Sequence, residues 1–156
     1  MRPTWDMICM MIAFIMSLMA TCTRLRVGAV LWNPLTKQIV AVAFNGSPRG
    51  QPHCIDRGCE VVDGHCVACL HAEDNVFYWA GVSSEGCILY LTHNPCRRCV
   101  NKIIQGKVRE VVFSTKYGSL EALDILKKAG IPSRSPVTNS QLLHNLWKYI
   151  IMGKSH

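Results

Sequence analysis

Two short motifs bring together residue types suited to metal and proton chemistry: His71-Ala72-Glu73 and Pro95-Cys96-Arg97-Arg98-Cys99. Cys96 and Cys99 stand three residues apart, so on a helix they share a face. Pro95 suits the residue at or just before a helix start. Thiolates at a helix N-terminus are stabilised by the dipole, which lowers their pKa and prepares them for metal. One imidazole and two thiolates make a three-ligand zinc site with an open fourth position, the pattern of catalytic rather than structural zinc. Zinc so held lowers the pKa of its bound water, so that hydroxide forms near neutral pH. Residues i and i+2 do not share a helix face. His71 and Glu73 therefore converge on one site only if His71 stands at the helix entry, which leaves Glu73 beside the open position as a proton carrier.

The elements that must hold these residues follow from pattern. Val27 to Trp32 and Gln38 to Phe44 read as two strands around the turn Asn33-Pro34-Leu35-Thr36. His71 to Ala80 reads as a helix, Cys87 to Thr92 as a strand, His93-Asn94-Pro95 as a turn and Cys96 to Gln105 as a helix. A strand at Val108 to Ser114, a helix at Leu120 to Ala129 closed by Gly130, and a helix at Gln141 to Met152 complete the chain. Strands alternating with helices point to a layered α/β domain.

With 156 residues, 49% of them hydrophobic and 17% charged, the chain is expected to be one domain with a real core. Met7 to Thr23 carries no charge, but it is short for a bilayer span and lacks the basic region and cleavage site of a signal peptide. Pro3 and Thr4 suit a helix start, and Trp5, Ile8, Ile12, Ile15 and Met19 recur at helical spacing, with Met7, Met10, Met11 and Phe14 opposite. A helix apolar all round is expected to be buried on both sides, by the core and by another subunit. The excess of 17 Lys and Arg over 10 Asp and Glu gives +7, which favours an anionic partner. Nine cysteines, an odd count, argue against a disulfide scaffold and for metal-bound thiolates in a reducing compartment. Asn45 to Leu70 lacks periodicity, and a loop of about 25 residues inside a domain calls for a function or a cross-link. Cys54, Cys59, Cys66, Cys69, His53 and His65 fall in or beside it, with Cys22 upstream, and a closed tetrahedral zinc would hold the segment together. Cys9 and Cys87 lie in apolar runs and are expected in the core.

The order His-x-Glu then Pro-Cys-x-x-Cys is the signature of zinc deaminases. The chain resembles the deoxycytidylate (dCMP) deaminases of bacteria and phages, within the cytidine deaminase-like superfamily. Besides the zinc motifs, Arg2-Pro3-Thr4-Trp5-Asp6, Arg26-Val27-Gly28-Ala29-Val30, Phe44-Asn45-Gly46-Ser47-Pro48, Pro52-His53-Cys54 and Tyr90 to Cys99 are similar to that family, so the likeness covers roughly Arg2 to Tyr117. It implies a three-layer α-β-α sandwich with a central mixed sheet of about five strands, over a single domain spanning 1–156 with a Cys/His-rich insert at about 45–70. It implies hydrolysis of dCMP to dUMP and ammonia, hydroxide attacking C4 while Glu73 shuttles protons, with His71, Cys96 and Cys99 on the zinc. A second, structural zinc is implied on Cys22, Cys54, Cys59 and Cys66, with His65 and Cys69 as alternates. Asn45, Ala72, Thr92, Pro95 and Tyr117 are implied as substrate contacts, and Arg26, with Arg24 beside it, as the holder of the 5′-phosphate. A cytoplasmic homo-oligomer, hexameric in many relatives and regulated by dCTP or dTTP with Mg2+, belongs to the same expectation. The rival readings are a deaminase of cytidine, dCTP or nucleic acid, and a non-catalytic zinc-binding interaction module. The chain has no extended basic arm for nucleic acid, and a structural zinc needs no proton shuttle such as Glu73.

Overall fold

The computed structural model describes residues 2–135 together with Gln141, His144, Asn145 and Lys148. Apart from those four positions, the helix expected at Gln141 to Met152 lies outside the described residues. Helix α1 (Trp5–Ser17) starts where Thr4 accepts a hydrogen bond from the Met7 N–H at 3.3 Å, with Asp6 in its first turn. It ends before the apolar run does. The N–H groups of Leu18, Met19 and Ala20 bond three residues back, at Ile15, Met16 and Ser17, so the chain tightens and leaves the helix axis. Strands β1 (Gly28–Asn33) and β2 (Gln38–Phe44) form the expected hairpin, whose turn is held by Asn33 Oδ1 accepting from the Leu35 and Thr36 N–H groups.

Cys54–Arg57 forms the short helix α2, and β3 (Val61–Val62) pairs with β4 (His65–Cys66) in a small separate hairpin. The sequence reading of an irregular segment is corrected here. Asp63 and Gly64, at φ 48° and 77°, make a two-residue turn that requires positive φ at both positions, for which Asp-Gly is the favoured pair. Then follow α3 (Ala72–Ala80), β5 (Ile88–His93), α4 (Val100–Gln105), β6 (Glu110–Thr115), α5 (Glu121–Lys128) and β7 (Ser133–Arg134).

The main sheet runs β2-β1-β5-β6-β7 and is mixed. β1 lies antiparallel to both its neighbours, and β5, β6 and β7 run parallel. The chain is therefore an α/β protein with a mixed five-stranded sheet, as expected. Side chains alternate between two helical layers, as the period of a strand requires. Ala29, Leu31, Leu89, Leu91, Val111 and Phe113 pack toward Val76, Ile103 and Leu126 of α3, α4 and α5. Val30, Trp32, Ile88, Tyr90 and Val112 pack on the other face under Cys9, Met10 and Ala13 of α1. Helices on both faces explain why β1 and β5 read as continuous apolar runs. Gly28 sits where α1 crosses the sheet, and a Cβ there would overlap the Ala13 carbonyl. Outward from the core, Ile15, Leu18 and Met19 are exposed. Cys9 and Cys87 are buried in the apolar layers, as expected.

Candidate active site

The parallel pair β5 and β6 delivers its C-terminal ends to one edge of the sheet, and the chain leaving β5 there carries the Pro-Cys-x-x-Cys segment. Helix α4 starts only at Val100, so the expectation of a helix from Cys96 is corrected. Cys96 to Cys99 is a single tight turn, closed by the Cys99 N–H donating to the Cys96 carbonyl at 3.1 Å. Like a helical turn, it sets two residues three positions apart on one side, and it leaves the two sulfurs 3.7 Å apart. Asn94 braces the crossing: its Oδ1 accepts from the Tyr117 N–H at 2.5 Å and its Nδ2 donates to the Ser119 carbonyl at 3.4 Å.

Across the site, His71 stands at the N-cap of α3 with extended backbone (φ −73°, ψ 158°), as convergence with Glu73 requires. Its N–H donates to Asp74 Oδ2 at 2.8 Å. Asp74 also pairs with Lys102 of α4, so the two helices that present the donors are tied together. His71 Nδ1 lies 3.2 Å from Cys99 Sγ and 3.5 Å from Cys96 Sγ. A tetrahedral zinc with bonds of ~2.3 Å to sulfur and ~2.1 Å to nitrogen would set its ligands about 3.6–3.8 Å apart. The three donors fit that ion with adjustments of a few tenths of an ångström.

Glu73 is buried, and a carboxylate oxygen lies within 4.8 Å of both a His71 nitrogen and Cys99 Sγ. Burial pushes its pKa above the usual carboxylate range, against the pull of the neighbouring His71. Hydrogen bonding with Cys99 and, after it, with His71 holds the Cys96 thiol down at about 3 in spite of burial. Cys99 is pushed up by the Cys96 hydrogen bond and by burial.

His71, Glu73 and Cys96, with Cys99 buried behind them, line the floor of a cavity of about 480 Å³ whose walls include Arg24, Asn45, His65, His93, Arg97 and Tyr117. Arg24 lines this wall, whereas the exposed Arg26 is not among its lining residues. Asn45 lines the cavity, but its amide is engaged: Oδ1 accepts from the Val27 N–H at 2.7 Å and Nδ2 donates to the Leu25 carbonyl at 2.8 Å. Thr92 is buried and accepts from the Gly28 N–H at 3.2 Å, and Ala72 and Pro95 are buried behind the wall. Tyr117 is half-exposed, its ring edge-on to His93 with centroids 6.0 Å apart. Sequence pattern does not place His93 or Arg97 in the wall, since the end of β5 brings in the first and the turn that follows brings in the second.

Along one side of the same cavity, which Cys22, Cys66 and Cys69 line, five thiols gather in two groups that share Cys66: Cys22 and Cys59 in one, Cys54 and Cys69 in the other. Sulfur separations are 3.6 Å for Cys22–Cys59, 3.6 Å for Cys54–Cys66 and 3.2 Å for Cys54–Cys69. A hydrogen bond from Thr23 holds Cys59 down at about 6. His65, an alternate for this cluster, faces elsewhere. Its ring lies 6.1 Å from that of His71, and it groups with His71 and Cys96. Successive residues of a strand point to opposite faces, so on β4 Cys66 joins the thiols while His65 turns toward His71 and Cys96, and both residues line the cavity.

The family profile described as "Cytidine and deoxycytidylate deaminase zinc-binding region" matches residues 3–115. The chain belongs to this family. Among its relatives, "ComE operon protein 2" of Bacillus subtilis is 34% identical over 134 residues, 83% of this chain and 70% of that protein. The deoxycytidylate deaminase of Saccharomyces cerevisiae is 36% identical over 143 residues, 86% of this chain but 45% of that enzyme. The match thus spans less than half the length of the yeast relative. The crystal structure of dCMP deaminase from cyanophage S-TIM5 in complex with dCMP and dUMP superposes with a TM-score of 0.73 at 29% identity, covering 86% of this chain and 98% of that one. Among the described residues no helix is long and apolar enough to cross a membrane.

Proposed function

We propose that the protein is a zinc-dependent deaminase that converts dCMP and water to dUMP and ammonia. The observation that carries this reading is the convergence of one imidazole and two sulfurs on a buried Glu73 at the floor of a nucleotide-sized cavity. The family membership and the dCMP deaminases among its relatives support it. Zinc, when bound, supplies a Lewis acid that makes a water nucleophilic near neutral pH. His71, Cys96 and Cys99 would hold it. Glu73 takes a proton from the attacking water and delivers it to N3 of the pyrimidine, then carries the second proton to the 4-amino group. The water oxygen becomes O4, the C4–N4 bond breaks and ammonia leaves. The upward push on the Glu73 pKa suits a group that must both accept and donate near neutrality.

The same reading assigns Tyr117 to a wall of the base or sugar site. It assigns Asn45 to holding the Leu25–Val27 segment in place, in addition to lining the pocket. A structural zinc on Cys22, Cys54, Cys59 and Cys66, with Cys69 beside them, supports the insert. That none of the nine cysteines is paired in a disulfide agrees with a reducing, cytosolic setting. The exposed Ile15, Leu18 and Met19 supply an apolar face for a homo-oligomer. The test is ammonia release from dCMP, dCTP, deoxycytidine and a cytosine-containing oligonucleotide. Turnover of dCMP above the others is expected. Turnover of dCTP or the oligonucleotide in its place would move the substrate, and release from none would overturn the reading.

A further inference from the structure

We infer that Arg97 is a specificity-determining residue for the 5′-phosphate, holding the charged end of the substrate at the cavity mouth. This rests on the deaminase reading above and goes beyond the motif, where Arg97 is only a spacer between Cys96 and Cys99. A cytosine nucleotide that presents C4 to Glu73 has its base on the buried floor, so its phosphate must lie among the exposed wall residues. Those charged residues are Arg24, Asp63 and Arg97, among the described residues. Two guanidinium groups face one carboxylate there, and the guanidinium fork matches phosphate geometry.

Arg24 is partly engaged, its Nη2 donating to the Gly64 carbonyl at 3.0 Å. Arg97 is the freer of the two. Its Nε stands 3.6 Å from Glu121 Oε1, longer than a hydrogen bond, with the side chains 54% and 60% exposed. Such a pair contributes little, so an incoming dianion can displace it. The Arg97 backbone, by contrast, is pinned between the two sulfur donors and the turn that closes on Cys96. The metal donors therefore also aim the phosphate contact. The neighbouring Arg98 is exposed and lies outside the cavity wall.

The experiment compares wild type with Arg97→Ala and Arg97→Lys on dCMP and on deoxycytidine, with zinc content measured for each. For Arg97→Ala the ratio of kcat/KM for dCMP over deoxycytidine is expected to fall about 10- to 100-fold, the range for losing a charge-assisted hydrogen bond. The fall should be carried mainly by KM, and Arg97→Lys should restore part of it. A ratio within about threefold of wild type overturns the inference, and so does an equal loss on both substrates with loss of zinc, which marks a structural role. The affinities of dUMP and deoxyuridine, measured by titration calorimetry, decide the point independently of turnover. Release of ammonia from neither substrate by wild type would sink the deaminase reading, while the dUMP to deoxyuridine affinity ratio would still read Arg97 by itself.

Discussion

Glu73 is set apart from an ordinary helix glutamate by its position in the first turn of α3, inside the protein and next to three metal donors. Replacing it with Gln keeps the shape and removes the proton carrier. Glu73→Gln is therefore expected to retain catalytic zinc by metal analysis while kcat for ammonia release falls about 10²- to 10⁴-fold, the usual contribution of a positioned acid–base group. A comparable loss of metal would instead make Glu73 a ligand. The convergence of His71, Glu73, Cys96 and Cys99 was legible because each motif keeps its spacing within a few residues. The side chains of His65 and Asn45 were not. The first turns to the cavity through strand alternation, and the second engages backbone that lies 18 and 20 residues upstream.

Two junctions between elements are worth testing. Asp6 of α1 accepts from the Tyr90 hydroxyl at 2.8 Å and from Arg134 Nη1 at 2.7 Å, and Arg134 also donates through Nε to Glu110 at 2.7 Å. Burial pushes the Asp6 carboxyl up, but the hydrogen bonds from Arg134 and Tyr90 and the Arg134 charge outweigh it and hold the pKa below its usual value. With the folded value depressed, the stabilisation is present above the unfolded pKa of about 4 and is lost as pH falls through the folded value. Asp6→Asn should cost about 1–2 kcal/mol at pH 7. Its melting temperature should also vary less than that of wild type between about pH 4.5 and 2.5. Parallel pH curves would remove the clasp. At the second junction, Gly28→Ala places a methyl against the Ala13 carbonyl, and a cost above about 3 kcal/mol in urea unfolding is expected, because both backbones must move. The strand and helix identities of these junctions were readable from periodicity. The Ser133–Arg134 strand was not, since two residues carry no period.

Across the whole molecule the two proposed metal sites share a strand: β4 carries Cys66 of the thiol cluster and His65, which groups with His71 and Cys96, and both line the cavity. Losing the structural site should therefore affect both stability and the cavity wall. Cys54→Ser is expected to reduce zinc from two ions to one per chain and to lower the melting temperature by more than about 10 °C, as for other metal-held segments. Unchanged zinc content would leave the cluster as free thiols. The net charge of +7 favoured an anionic partner without placing it, and the fold put Arg24 and Arg97 at the mouth of the same cavity. What the sequence by itself determined was the pairing of His71 and Glu73 with Cys96 and Cys99 and the order of the main strands and helices. These depend on residues near one another in the chain, whose distances backbone geometry restricts to a few values. What only the tertiary structure decided was the gathering of five thiols between Cys22 and Cys69, the direction His65 faces and the placing of Arg24 and Arg97 in one cavity wall. Those depend on how β1, β5 and the insert come together, and the contacts that bring them together join residues tens of positions apart, which local periodicity does not encode.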